Sequence, residues 1–283
     1  MREFYSSNKT LETRRNPGRS VMAGSTNVRY GKQEDSKKLF NEILNIEDKE
    51  ERNQKIIALV ELLEKNSETN GFFKRDEEIK INIGAGSDIG PQIKLDDIEL
   101  YTLFFELFAT LKKHNPEAND NVVYKVAVEQ TILRYFGQFN GDSALRTRLI
   151  DVEFDFDRIE EENYKPEIPS ISKLKGKNCA MCVERASVSH NLWLLGGYES
   201  YYIDASSIKL EGYKDEGHAY CIVNYNGTFK LFDCSINVYF RFGEGINPIE
   251  DILNGKPLVV EVKDKKYIYA NAYNLKNTET FGV

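Results

Sequence analysis

Two cysteines three residues apart, Cys179 and Cys182, stand ahead of a mostly apolar run that closes at Gly196 and Gly197. Further along, the stretch GHAYCIVNYNGTFKLFDCS carries His218 and Cys221 before the pair Asn226-Gly227, and Asp233 and Cys234 after it. Three chemistries fit these residue types. C-x2-C followed by H-x2-C spells a zinc site built from Cys179, Cys182, His218 and Cys221. C-x-x-C alone spells a thiol–disulfide redox pair. The third is a cysteine nucleophile served by a histidine base, with a carboxylate that fixes the tautomer and orientation of the ring.

The elements that must position these groups separate the three. Asn-Gly between two strand-like runs is a strong hairpin signal, and a two-residue loop sets Tyr225 opposite Thr228. His218 then faces Ser235, and Tyr220 faces Asp233. Paired residues share a sheet face, and successive residues alternate faces. His218 and Asp233 therefore fall on one face as diagonal neighbours, with Cys221 and Cys234 together on the other. A zinc site would need His218 and Cys221 to converge from opposite faces, which takes a bulge. A redox pair would want a buried strand ahead of the cysteines, and SKLKGKN is polar. A thiolate in the first turn of a helix is stabilised by the dipole and the backbone N–H groups there. Residue types, chain order and hairpin register all fit a cysteine, His218 and Asp233 in that role.

Along the chain, residues 1–34 are polar and aperiodic and are expected to be a disordered leader. Leu39, Phe40, Ile43 and Leu44, then Ile56, Ile57, Val60 and Leu63, recur at helical steps and predict two helices. A strand over 79–83 leads to a Gly-rich turn, and Asp96 is expected to cap an apolar helix, DIELYTLFFELFATLKK. NVVYKVAVEQTILRYFG reads as a further helix ended by Gly137. Lys165 to Ser172, with two prolines, reads as a linker. The expected organisation is thus a leader over 1–34, a mostly helical region over 35–165 and a catalytic core over 166–283, the last closing on a hairpin in PLVVEVKDKKYIYANAY. Gly84, Gly86 and Gly90 follow a strand as a dinucleotide fingerprint would, but Pro91 stands where the helix should open. The acidic run DVEFDFDRIEEE lacks calcium-loop spacing and reads as a solvated face. The triplet beginning at Asn226 reads as turn chemistry rather than as a glycosylation acceptor.

Composition narrows the classes. The net charge of -7 leaves no basic footprint for nucleic acid. No apolar run approaches the roughly 18 residues of a membrane span. Four cysteines in 283 residues do not suggest a disulfide framework. The first residues lack the apolar core of a signal peptide, so the expected location is cytoplasmic, or exported by a route that needs no signal.

The segment 176–240 resembles the core of the transglutaminase-like cysteine enzymes, a branch of the papain-like fold. Cys182 followed by Ala186 and then NLWLLGG, HAY at His218, and LFDCS at Asp233 carry the resemblance. Cys234 stands where that family has proline. The resemblance implies an α+β fold, with the cysteine helix packed on an antiparallel sheet beside a helical N-terminal region. It implies thiol-dependent acyl transfer on a protein or peptide substrate, as a protease, deamidase or transglutaminase, through Cys182, His218 and Asp233, with no cofactor and no metal. Its helix length selects Cys182, which lies 14 and 15 residues before Gly196 and Gly197, over Cys179. Papain-like proteases place an oxyanion-hole glutamine six residues before the nucleophile; Gly176 stands there, and Asn178 is the nearest polar candidate. The alternative is a non-catalytic binding module that keeps the fold and uses its helical half as a partner surface.

Overall fold

The computed structural model describes residues 20–23, 26–31, 34–80, 92–138, 168–210 and 216–270. It is an α+β chain built on an antiparallel sheet. The sheet runs β1 (Ser20–Ala23), β2 (Thr26–Gly31), β5 (Glu199–Leu210), β6 (Glu216–Tyr225), β7 (Thr228–Asp233) and β8 (Val238–Arg241). β10 (Lys265–Ala270) also pairs with β5 and carries β9 (Leu258–Val262) at its other side. A separate hairpin joins β3 (Glu78–Lys80) to β4 (Gln92–Lys94). Its helices are α1 (Glu34–Leu44), α2 (Lys49–Lys65), α3 (Ser67–Asn70), α4 (Ile98–His114), α5 (Asp120–Phe136), α6 (Cys182–Leu195) and α7 (Pro248–Leu253).

Two cores lie on the two faces of the sheet. One contains α6, which is buried from Val183 to Leu195. A helix buried all round has no polar stripe, which is why its hydrophobic pattern shows little periodicity. Phe40 of α1, Leu59 of α2, Phe104 of α4 and Tyr124 of α5 close over it, and Tyr202, Cys221 and Phe232 meet it from the sheet. Gly196 ends α6 where the Tyr124 ring presses close; a Cβ there would lie 2.4 Å from the ring. The second core takes the opposite face: Ile203, Tyr220, Ile222, Leu231, Val238, Val260 and Tyr269. β5 makes this curvature. It pairs with β2 along Ser200–Asp204 and with β10 along Ser207–Leu210, and its register with β6 shifts between Ala205 and Ile208. A bulge increases twist and bends its strand, so β6–β8 and β9–β10 wrap the second core from both sides of β5.

Several expectations are corrected. The leader expected over 1–34 supplies β1 and β2, and residues 1–19 lie outside the described set. β2 is held by long-range contacts: Val28 is buried, and the Arg29 guanidinium bonds Glu77 and the carbonyls of Gly71 and Phe72. The N-cap of α4 is Asp97, whose side chain accepts from the Glu99 N–H, while Asp96 accepts from the Ser170 hydroxyl. The linker's described end is packed: Ser170 bridges Lys94, and Ile171 and Leu174 are buried in a short 3-10 turn. The α6 core draws on residues from both sides of position 165, so a boundary there separates no core. The Gly84–Gly90 turn and the acidic run 151–162 lie outside the described residues. Among the described residues no helix is long and apolar enough to cross a membrane.

Candidate active site

The approach to α6 is fixed by the end of α5. Gly176 and Asn178 both have positive φ, at 68° and 57°. Their amides donate to the carbonyls of Tyr135 and Phe136 at 2.7 and 2.9 Å. Arg185, buried one turn into α6, reaches back and donates to the carbonyls of Ala180 (2.9 Å) and Gly137 (2.8 Å). Glu184, also buried, accepts from the Met181 N–H at 2.9 Å. A carboxylate in the first turn that satisfies the N-cap amide fixes where a helix starts. Cys182 is therefore the first helical residue, and it is half-buried. Cys179 lies in the preceding loop, 1% exposed.

The sheet supplies the partners at the opposite end of the hairpin from its turn. Asn226 and Gly227 both take positive φ, 52° and 88°, as a tight hairpin loop requires. Tyr225 pairs with Thr228 and Cys221 with Phe232, the register expected from the sequence. His218 and Asp233 meet as diagonal neighbours, Nε2 lying 2.6 Å from Oδ2. The Tyr269 hydroxyl donates to the same oxygen at 3.0 Å, and the Ser235 amide donates to Oδ1 at 3.1 Å. The His218 ring also hydrogen-bonds the Cys182 side chain. With Nε2 held by Asp233, Nδ1 is the nitrogen left for sulfur. The structure thus brings Cys182, His218 and Asp233 together and leaves Cys179 outside.

Electrostatics follow from this burial. Desolvation alone would lower the His218 pKa. The charge of Asp233 and its hydrogen bond, then those of Cys182, outweigh it and hold the ring well above its ordinary value. Asp204, on β5, is pushed up to about 7 by burial, against the opposing charge of His218. Burial also raises the pKa of the Cys221 thiol on β6 and of Cys234, just past β7, the latter to about 12. Cys221 Sγ donates to the Ala186 carbonyl at 3.1 Å, and Cys234 lies 3.4 Å from the Ser189 hydroxyl. Both therefore face α6, away from the His218–Asp233 pair, and all four cysteines are free thiols. Among the described residues no three His, Cys, Asp or Glu side chains gather in a way that could hold a metal.

Three site features have no sequence signal: Tyr269 on a strand remote in the chain, Asp204, and the Arg185 latch. Asn178 turns its side-chain oxygen toward Gly137, so close that a Cβ on that glycine would lie 1.9 Å away. Comparison of the chain with protein-family models, with curated proteins and with solved structures finds no match.

Proposed function

We propose that this protein is a thiol-dependent acyl-transfer enzyme with a transglutaminase-like core, in which Cys182 is the nucleophile, His218 the base and Asp233 the orienting carboxylate. The observation that carries this reading is the His218 ring, bonded on one side to the carboxylate and on the other to a thiol that opens a helix. The thiol proton passes to His218, and the sulfur lone pair forms the C–S bond to the carbonyl carbon of a carboxamide or peptide. The tetrahedral adduct collapses, the C–N bond breaks, and His218 returns the proton to the leaving nitrogen. Water or an amine then attacks the thioester, gives a proton to His218, and expels the thiolate, which takes that proton back. Asp233 bears its charge against the imidazolium throughout, and Tyr269 and Ser235 hold Asp233 in place. The two carbonyls latched by Arg185 keep the loop before Cys182 from moving the sulfur.

The test needs no natural substrate. With p-nitrophenyl acetate, stoichiometric release of p-nitrophenolate and an acetyl group mapped to Cys182 are expected, both abolished in His218→Ala. An acetyl group carried by Cys179, or equal acetylation of Cys182 in His218→Ala, contradicts the assignment.

A further inference from the structure

The site holds a carboxyl that the triad of Cys182, His218 and Asp233 does not use. Asp204 supplies that carboxyl. α6 runs along β5 with His190 at 3.0 Å from the Ser200 hydroxyl and Ser187 bonded to Tyr202. Two strand residues advance about 6.7 Å and one helical turn about 5.4 Å, so one step beyond Tyr202 and Ser187 brings Asp204 level with the first turn of α6. Side chains two apart on a strand share a face, so Asp204 points to the α6 side with Tyr202. It pairs with Ala219, the neighbour of His218. Tyr202 lies within electrostatic reach of both Asp204 and Cys182, and Asp204 within reach of His218. Asp204 Oδ1 is fully buried and has no hydrogen-bond partner. A buried carboxyl oxygen left in that state calls for an explanation, and a ligand atom is one.

We propose that the Asp204 carboxyl, in its neutral form, is an oxyanion donor, giving its O–H to the carbonyl oxygen that becomes negative when the Cys182 sulfur adds. The inference rests on acyl transfer at Cys182. The carboxyl keeps its proton: the hydrogen bond strengthens as charge develops on the oxygen and relaxes when the C=O re-forms. A preorganised donor aimed at developing charge in a site withdrawn from water has a large effect on rate. Tyr202 stands beside Asp204 on the same strand face, and the charged group within reach of the carboxyl is His218, from β6. Burial there raises the carboxyl to about 7, against the charge of His218. Below that pH the donor is present. Above it the donor is lost and a negative charge stands beside the oxyanion.

The test compares two reactions of the full chain. Acetylation of Cys182 by p-nitrophenyl acetate passes through an oxyanion, whereas alkylation by iodoacetamide, a displacement at a saturated carbon, does not. Asp204→Ala is expected to slow acetylation by about 10²-fold and to leave the alkylation rate within about twofold, the loss expected for one such donor. Asp204→Asn, which offers an N–H at every pH, is expected to recover most of that loss. The ratio of acetylation to alkylation should fall above pH 7 in the wild type and stay flat in Asp204→Asn. An asparagine variant as slow as the alanine variant, or a flat wild-type ratio, overturns the inference. If Asp204→Ala does not fold, the pH profile of the asparagine variant against wild type decides alone. Failure of both reagents to modify Cys182 in the wild type would instead refute the acyl-transfer reading itself.

Discussion

Replacing Asp233 by asparagine keeps the shape of the side chain and removes its charge, and the geometry dictates how the site responds. Oδ1 accepts from the Ser235 amide, and Oδ2 faces both the Tyr269 hydroxyl and His218 Nε2. An asparagine has one accepting oxygen and one donating NH2. With its NH2 toward Ser235 it would oppose a backbone N–H that cannot turn. With its oxygen toward Ser235, the NH2 meets Tyr269, whose hydroxyl can rotate to accept, and His218, whose Nε2 must then become an acceptor. The second arrangement wins, and it moves the ring proton to Nδ1, the nitrogen that should receive the thiol proton. Loss of the charge-assisted bond costs about 1.5–3 kcal/mol, which is about 10- to 150-fold in rate at 1.36 kcal/mol per decade. The reversed tautomer extends the loss toward about 10⁴-fold. Acetylation by p-nitrophenyl acetate should fall within that range with little change in KM. There is also a stability consequence. His218 binds its proton more tightly folded than unfolded, so this contribution is full below the unfolded value, about 6.5, and is lost as pH rises through the folded one. Urea denaturation should therefore show the gap between wild type and Asp233→Asn largest near pH 6 and narrowing toward alkali. A variant acetylated within threefold of wild type, with the ring proton still on Nε2 by nitrogen NMR, would refute the reasoning.

His190 is fully buried between Ser200 and the Gly71 carbonyl, and burial, then Arg29, lowers its pKa to about 3. Its neutral form contributes stability that is full above about 6.5 and lost as pH falls toward 3, about 4–5 kcal/mol in all; His190→Gln should flatten the acid limb of urea-measured stability, and an unchanged slope would contradict this. Arg185→Met strips the donors from two carbonyls, at about 2–4 kcal/mol, and should raise Cys179 alkylation relative to Cys182 as the loop opens; an unchanged ratio would show that the latch does not hold it. Gly137 has φ 79° and no room for a Cβ beside Asn178, so Gly137→Ala should lower the thermal midpoint, with a cost of about 1–3 kcal/mol; a midpoint equal to wild type would contradict that packing.

The hairpin was legible because its register is local. Asn226-Gly227 admits one short loop, and the alternation of two strands then sets His218 beside Asp233 with no further information. The start of α6 at Cys182 was expected only through the helix length that the family resemblance implies, counted back from the closing glycines, and the sequence did not reveal Glu184 and Arg185 as the residues that fix it. What escaped was non-local. β2 has too few apolar residues to read as a strand, and it is held by Arg29 and by pairing with a strand about 170 positions away. Asp204 lies in a segment legible only as β-rich, and its unpartnered oxygen follows from where α6 comes to rest. Tyr269 reaches Asp233 only because β5 bends at its bulge and brings β10 round the second core. The cap of α4 was read as Asp96; that carboxylate takes the Ser170 hydroxyl instead, and Asp97, one residue on, caps the helix.

The central claim is that a single thiol, Cys182, is made reactive by His218. Limiting iodoacetamide, followed by peptide mass spectrometry of all four cysteines from pH 5 to 9, tests it most directly. Modification confined to Cys182 at low reagent, and reduced at least tenfold in His218→Ala, is the predicted result. Modification of Cys179 first, or labelling of Cys182 that does not depend on His218, would contradict it.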